Sequence, residues 1–168
     1  MIIMAKSLGV SDYVITTAMS KQKPVSNLKL QKIMYFLNVI HLLEYKNPLI
    51  DDDNFEKWDY GPVIHEVYSE YSSNGSQEIK KPKRHIKNRE LINGEYKDEP
   101  YDNDFFELNE EDKRFINDNI DSFIDENPFF LVEKTHEEPQ WKDKLNYNYD
   151  NDLTLKYFEN PKNRFWEK

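Results

Sequence analysis

The chain's 168 residues carry 23 Lys plus Arg against 32 Asp plus Glu, a formal net charge of −9 at pH 7. That length suits one domain over 1–168, and 10 Phe, 11 Tyr and 3 Trp are too many aromatics for a disordered chain. With no cysteine there is no disulfide or thiol nucleophile, four scattered glycines build no phosphate-binding loop, and no apolar run reaches the ~18–20 residues of a membrane span.

The first ten residues, MIIMAKSLGV, lack a charged leader and a small-residue cleavage site, so a cytoplasmic setting is expected. Ser11 is read as the cap of a short helix carrying Tyr13, Val14, Ile15, Ala18 and Met19, ended by Pro24. Ser26 caps a longer helix. Along it Leu30, Ile33, Met34, Leu37, Ile40 and His41 fall on one face. Leu28, Phe36, Val39, Leu42 and Leu43 widen that face, as a central helix touched on several sides requires.

Asn47-Pro48 and Asp51-Asp52-Asp53 break the pattern, and Phe55 to Tyr60 reads as a short extended piece. Gly61-Pro62 is expected to restart a helix, with proline at its first position. Val63, Ile64, Val67, Tyr68 and Tyr71 supply its apolar face, and Asn74-Gly75 stops it. Asn93-Gly94 signals a two-residue hairpin within 80–100, with a charged loop as the alternative. Asn109 caps an amphipathic helix whose core face is Phe115, Ile116, Ile120, Phe123 and Ile124. Asn127-Pro128 opens another helix, and a last one covers Leu153 to Phe158. The sum is a mainly α fold around a central amphipathic helix, with a minor β-hairpin.

The chemistry-bearing constellations are sparse. No two of the histidines 41, 65, 85 and 136 share an i, i+4 spacing, so no metal site is expected, and no cofactor. No glycine elbow surrounds a serine and no carboxylate pair stands out, so no catalytic residue is assigned and the chain reads as a non-enzyme. The run KKPKRHIKNR places 6 basic residues within 80–89, a candidate nucleic-acid contact that the overall charge of −9 opposes. Residues 98–126 hold 12 acidic side chains against Lys113 and Arg114 alone. Within them Glu110, Glu111, Asp118, Asp121 and Asp125 form an acidic patch suited to a basic partner.

Three blocks are too specific for composition to explain: SNLKLQKIMYFLNVIHL from Ser26, FEKWDYGPVIHEVYSEY from Phe55, and THEEPQW from Thr135. In this order and spacing they resemble the Panacea antitoxin domain, the family of SocA-like and GepA-like phage-associated proteins. The matching positions are Leu28, Lys29, Leu30, Gln31, Lys32 and Tyr35, then Trp58, Tyr60, Gly61, Pro62 and Tyr68, then Thr135, His136 and Trp141. Gln140 departs from the pattern by separating Pro139 from Trp141. The resemblance implies an antitoxin, often carried on a mobile element, that neutralises a co-encoded protein toxin by direct binding. Alarmone-synthetase-like toxins are among the partners it implies. An adaptor that delivers the toxin to a AAA+ protease is the alternative, as is a nucleic-acid-binding regulator using 80–89. No membrane partner is expected. Within the blocks, Lys29 and Lys32 are read as projecting from the helix start, and the tryptophans as large apolar contacts.

Overall fold

The computed structural model describes residues 7–83, 106 and 108–167, and the backbone of 90–92 and 95–97. Helix α1 spans Ser7–Ser20 and α2 spans Asn27–Tyr45. Ser11 is not the cap expected: it lies inside α1, and its hydroxyl donates to the Leu8 carbonyl. Such back-bonding is how a serine inside a helix satisfies itself. Ser26 does cap α2, accepting from the amide of Lys29, and Lys46 ends the helix in a left-handed conformation.

Beyond α2, β1 (Glu56–Trp58) pairs antiparallel with β2 (Gly61–Val63) in the register Glu56 to Val63, Lys57 to Pro62 and Trp58 to Gly61. Pro62 therefore sits in a strand, and helix α3 starts only at His65, running to Tyr71. The expected proline-led helix fails for a local reason. Gly61 has φ +95, a conformation that closes a tight hairpin turn rather than opening a helix. In a two-stranded ribbon, moreover, a proline without an N–H is tolerated. A 3-10 turn, Ser72–Asn74, follows α3, and Gly75 with φ +57 stops it as expected.

Strands β3 (Glu90–Ile92) and β4 (Glu95–Lys97) make the second hairpin at the expected place, although the turn residues Asn93 and Gly94 lie outside the described residues. The basic run 80–89 also falls largely outside them, at 84–89.

The acidic stretch enters α4 (Glu110–Asn119), capped by Asn109 through the amide of Asp112, and then a short α5 (Asp121–Ile124). Helix α6 (Pro128–His136) starts at its proline, α7 is a single turn (Pro139–Lys142), and α8 runs Asn151–Phe158 before a 3-10 turn at Pro161–Asn163.

Helix α2 is the hub, packing against α1, α3, β2, α6 and α8. Leu30, Ile33, Met34, Phe36 and Leu37 have no exposed surface. Phe36 meets Phe123, Phe158, Phe165 and Trp166, so the C-terminal segment closes the core with rings. The outer edge of β1 is covered by 147–149, through Lys57 N to the Tyr147 carbonyl and Tyr149 N to the Phe55 carbonyl, both 2.8 Å.

Candidate functional site

The three sequence blocks converge on the β1–β2 hairpin, and several of their polar side chains bond its backbone. Gln31, buried on α2, accepts from the Ile64 amide at 3.0 Å and donates to Asn27, which donates to the Tyr68 carbonyl. Lys32 is fully buried and its ammonium donates to the Pro62 carbonyl at 2.9 Å. Nothing else offsets its desolvation, which pulls its pKa down to about 7. Lys29 donates to the Ile124 carbonyl at the end of α5, and burial lowers its pKa against the pull of Asp125 and Glu126. Lys32 thus does not project from the helix start, and Lys29 is spent on a helix end. Leu28, beside them, is half-buried.

The hairpin turn is gripped from the other side by the third block. His136 Nε2 donates to the Asp59 carbonyl at 2.9 Å, and its ring stacks on Trp141 with centroids 3.7 Å apart. Burial lowers the His136 pKa. Trp141 donates its indole N–H to the Trp58 carbonyl at 2.9 Å. Gly61 faces Thr135: a Cβ at 61 would lie 2.3 Å from Thr135 Oγ1 and 3.3 Å from Lys32 Cε. Three carbonyls of the hairpin, at 58, 59 and 62, are therefore held by an indole, an imidazole and an ammonium. This constellation binds its own backbone. Tyr60 and Tyr68 differ, being 59% and 39% exposed, with Tyr60 against Phe129 and Tyr68 against Trp58.

One residue of this region, Glu138, escaped the sequence reading, and another, Gln140, was read only as a departure. Glu138 is completely buried and accepts from the Tyr35 hydroxyl at 2.6 Å, and burial raises its pKa to about 7. Gln140, the departure from the family pattern, donates to Glu138 and to Thr154 Oγ1 and accepts from the Asp150 amide. The inserted residue ties α7 to the start of α8. Only the excess of Glu in THEEPQW hinted at a buried carboxyl, and hydrophobicity patterns carry no signal for one.

The acidic patch is divided by its neighbours. Asp121 pairs with Lys21 at 3.1 Å, Asp125 with Lys23 at 2.7 Å, and Glu110 lies 3.6 Å from Lys113. Glu111 and Asp118 pair with no cation among the described residues. Both line a cleft of about 640 Å³ between the end of α2 and α4, together with Glu44, Asp112, Arg114 and Tyr45. Burial raises the Asp112 pKa even with His41 nearby, and Tyr45 is 56% exposed on the wall. His41 bonds the Asn47 carbonyl and packs on Phe115.

Among the described residues no cluster of three His, Asp or Glu could hold a metal, and no helix is long and apolar enough to cross a membrane. No solved structure matches the chain. A curated relative, Antitoxin SocA of Caulobacter vibrioides, is 37% identical over 71 residues, covering 42% of this chain and 37% of that protein. The chain thus aligns with little more than a third of that relative's length. The profile of the family described as Antitoxin SocA-like, Panacea domain, matches residues 30–142, more than half of the chain, covering the second and third blocks and the first from Leu30 onward. The chain belongs to the SocA-like Panacea-domain antitoxin family.

Proposed function

We propose that this protein is an antitoxin that neutralises a co-encoded protein toxin by direct binding, and that it does so through the acidic cleft between α2 and α4. The observation that carries the surface assignment is the division of charge. The side chains of the family blocks are mostly buried or bonded to backbone, whereas Glu44, Glu111 and Asp118 stand around an exposed tyrosine with one guanidinium, Arg114, among them. A basic element of a partner would find there both charge complementarity and an aromatic surface. The competing face at Lys29 and Lys32 offers no free cation, because both ammonium groups are bonded to carbonyls.

The test is growth rescue. Co-expression with the product of the neighbouring gene should relieve that product's toxicity, and the two proteins should co-purify. The double variant Glu111→Lys with Asp118→Lys should abolish rescue while melting as the parent does. Absence of rescue by the parent protein overturns the antitoxin reading. Rescue by the double variant as strong as the parent's overturns the cleft.

A further inference from the structure

The segment that covers β1 has a second side. Lys57 N donates to the Tyr147 carbonyl and Tyr149 N to the Phe55 carbonyl, with Glu56 opposite Asn148. In an antiparallel ladder the N–H and carbonyl of the residue between two such bonds point away from the neighbouring strand. Asn148 is that residue, and its backbone groups take no partner among the described residues. The hairpin is thus extended by a third short strand whose outer edge is open.

This edge is apolar and unguarded. Leu145 is 93% exposed and Tyr147 60%, and Leu153, 49% exposed, faces them across a cleft of about 330 Å³ lined also by Asn146, Asn148 and Lys57. Between Lys144 and Asp150 the sequence is LNYNY, with neither a charge nor a proline. Natural proteins blunt an open edge with one or the other, or cover it. The loop is also held in place: the Leu145 amide bonds Asp143 Oδ1 at 2.9 Å, and the Lys144 ammonium lies 4.0 Å from the Trp141 ring centre.

Charge along the edge has a direction. Lys142 and Lys144 stand at its start, where Lys57 donates to the Asp143 carbonyl and offsets that acid. Asp150 and Asp152 stand exposed at its end. Two such edges laid antiparallel through Asn148 bring Lys144 of each against the Asp150–Asp152 end of the other, whereas a parallel pairing would set like charges together. A molecule of net charge −9 repels its own copy over most of its surface. Here Lys57, Lys142 and Lys144 balance Asp143, Asp150 and Asp152, and that repulsion lapses.

We propose that this edge pairs with the same edge of a second copy, antiparallel across a twofold axis at Asn148. Each Asn148 N–H donates to the carbonyl of the other, and Leu145, Tyr147 and Leu153 of both copies close the flanks. Bends at Leu145 and Tyr147 confine the ladder to Asn148, so the side chains supply most of the contact. The pairing is isologous and uses up both edges, so it stops at two chains. The surface is separate from the α2–α4 cleft and does not depend on the antitoxin reading.

Sedimentation equilibrium of the full chain, from micromolar concentration to about 1 mM, should show the mass rising from one chain to two and no further. The Asn148 amide should exchange its hydrogen more slowly at high concentration than at low. Leu145→Glu sets a carboxylate against Asp150 and Asp152 of the other copy and should raise the dissociation constant about tenfold or more, with the melt of the dilute monomer unchanged. Asn148→Pro removes an N–H that the fold itself does not use and should weaken the dimer likewise. A mass of one chain throughout overturns the proposal, as does growth beyond two chains. A dimer that both variants leave intact also overturns it, since the contact then lies on another face. Slowed exchange at Asn148 only when the neighbouring gene's product is added assigns the edge to that protein and overturns the pairing of copies.

Discussion

Most proteins are most stable near neutral pH, but two buried groups here act in the opposite sense. Glu138 has its folded pKa raised from 4.5 to about 7, so the folded state holds its proton longer than the unfolded chain does. Its contribution is full below pH 4.5 and is lost as pH rises to 7. Lys32 has its folded pKa lowered from 10.5 to about 7, so the folded state gives up its proton first. Its burial penalty is full below pH 7 and is relieved as pH rises toward 10.5. At ~1.4 kcal/mol per pH unit of displacement, Glu138 removes about 3 kcal/mol on the way up to pH 7, and Lys32 restores about 5 kcal/mol beyond it.

The sum is a minimum of stability near pH 7. His136, lowered by burial, adds a rise around its own ordinary pKa and shallows the falling limb. Above about pH 10 the raised phenols of Tyr35, Tyr71 and Tyr149 reverse the gain, because the folded state then holds their protons. Urea melts from pH 5 to 9.5 measure the curve. Glu138→Gln should flatten the limb below pH 7, and Lys32→Met the limb above it. Lys32→Met should also gain stability at pH 6, where the parent carries a buried charge, and gain about 3 kcal/mol less at pH 9.5, where about one pH unit of the displacement remains. Parallel curves for parent and Lys32→Met between pH 7 and 9.5 would refute the reasoning, since a lysine that stays charged and solvated titrates alike in both states.

Gly61→Val should lose about 2–5 kcal/mol in a denaturant melt, because it meets both a positive φ and the Thr135 hydroxyl. Adding Thr135→Ala should recover part of the loss and not all, the backbone strain remaining. Leu37→Ala, in the middle of α2 with no exposed surface, should cost about 2–5 kcal/mol, and a melt equal to the parent's would mean the buried face is misassigned. Glu111→Lys with Asp118→Lys should change stability by under about 0.5 kcal/mol yet abolish rescue, with a flatter salt dependence of any residual toxin binding.

The helices were legible where a cap and an apolar period agreed. Ser26 and Asn109 cap as read, and the Leu30 to Ile40 face of α2 is buried throughout. The errors came from local signals with two solutions. A serine before an apolar run can cap a helix or sit inside it, and Ser11 does the second. A Gly-Pro pair can open a helix or close a hairpin, and here Gly61 takes the positive φ of the hairpin, with no room for a side chain beside Thr135 and Lys32, residues distant in sequence. Charge was harder still to read. Asp118 and Asp121 are three positions apart in one acidic run, yet Asp121 is paired with Lys21 across the α1–α2 connection while Asp118 faces the cleft. Sequence spacing records neither fact. Lys32 was the largest misreading, since a lysine at a helix start is assigned to solvent by type, and this one is buried by the hairpin folding over it.

That misreading bears on how function in this family is tested. The block residues hold the hairpin through side-chain bonds to backbone, each worth about 1 kcal/mol when both partners are satisfied and more when one is left orphaned in the interior. Truncating Trp141 or Gln31 would leave the carbonyl of Trp58 or the buried amide of Ile64 without its partner, while the exposed Asp59 carbonyl would turn to water if His136 were lost. Several such losses approach the ~5–15 kcal/mol that holds a domain together. A growth-rescue scan would therefore score these positions as essential for neutralisation, and would do so whether or not they touch a toxin. Glu111, Asp118 and Tyr45 carry no such burden, because their side chains stand open on the cleft. A loss of rescue there, with an unchanged melt, is a statement about binding. On the proposed assignment, the fold rests on the hairpin clamp and toxin binding on the open cleft, so the two can be tested apart.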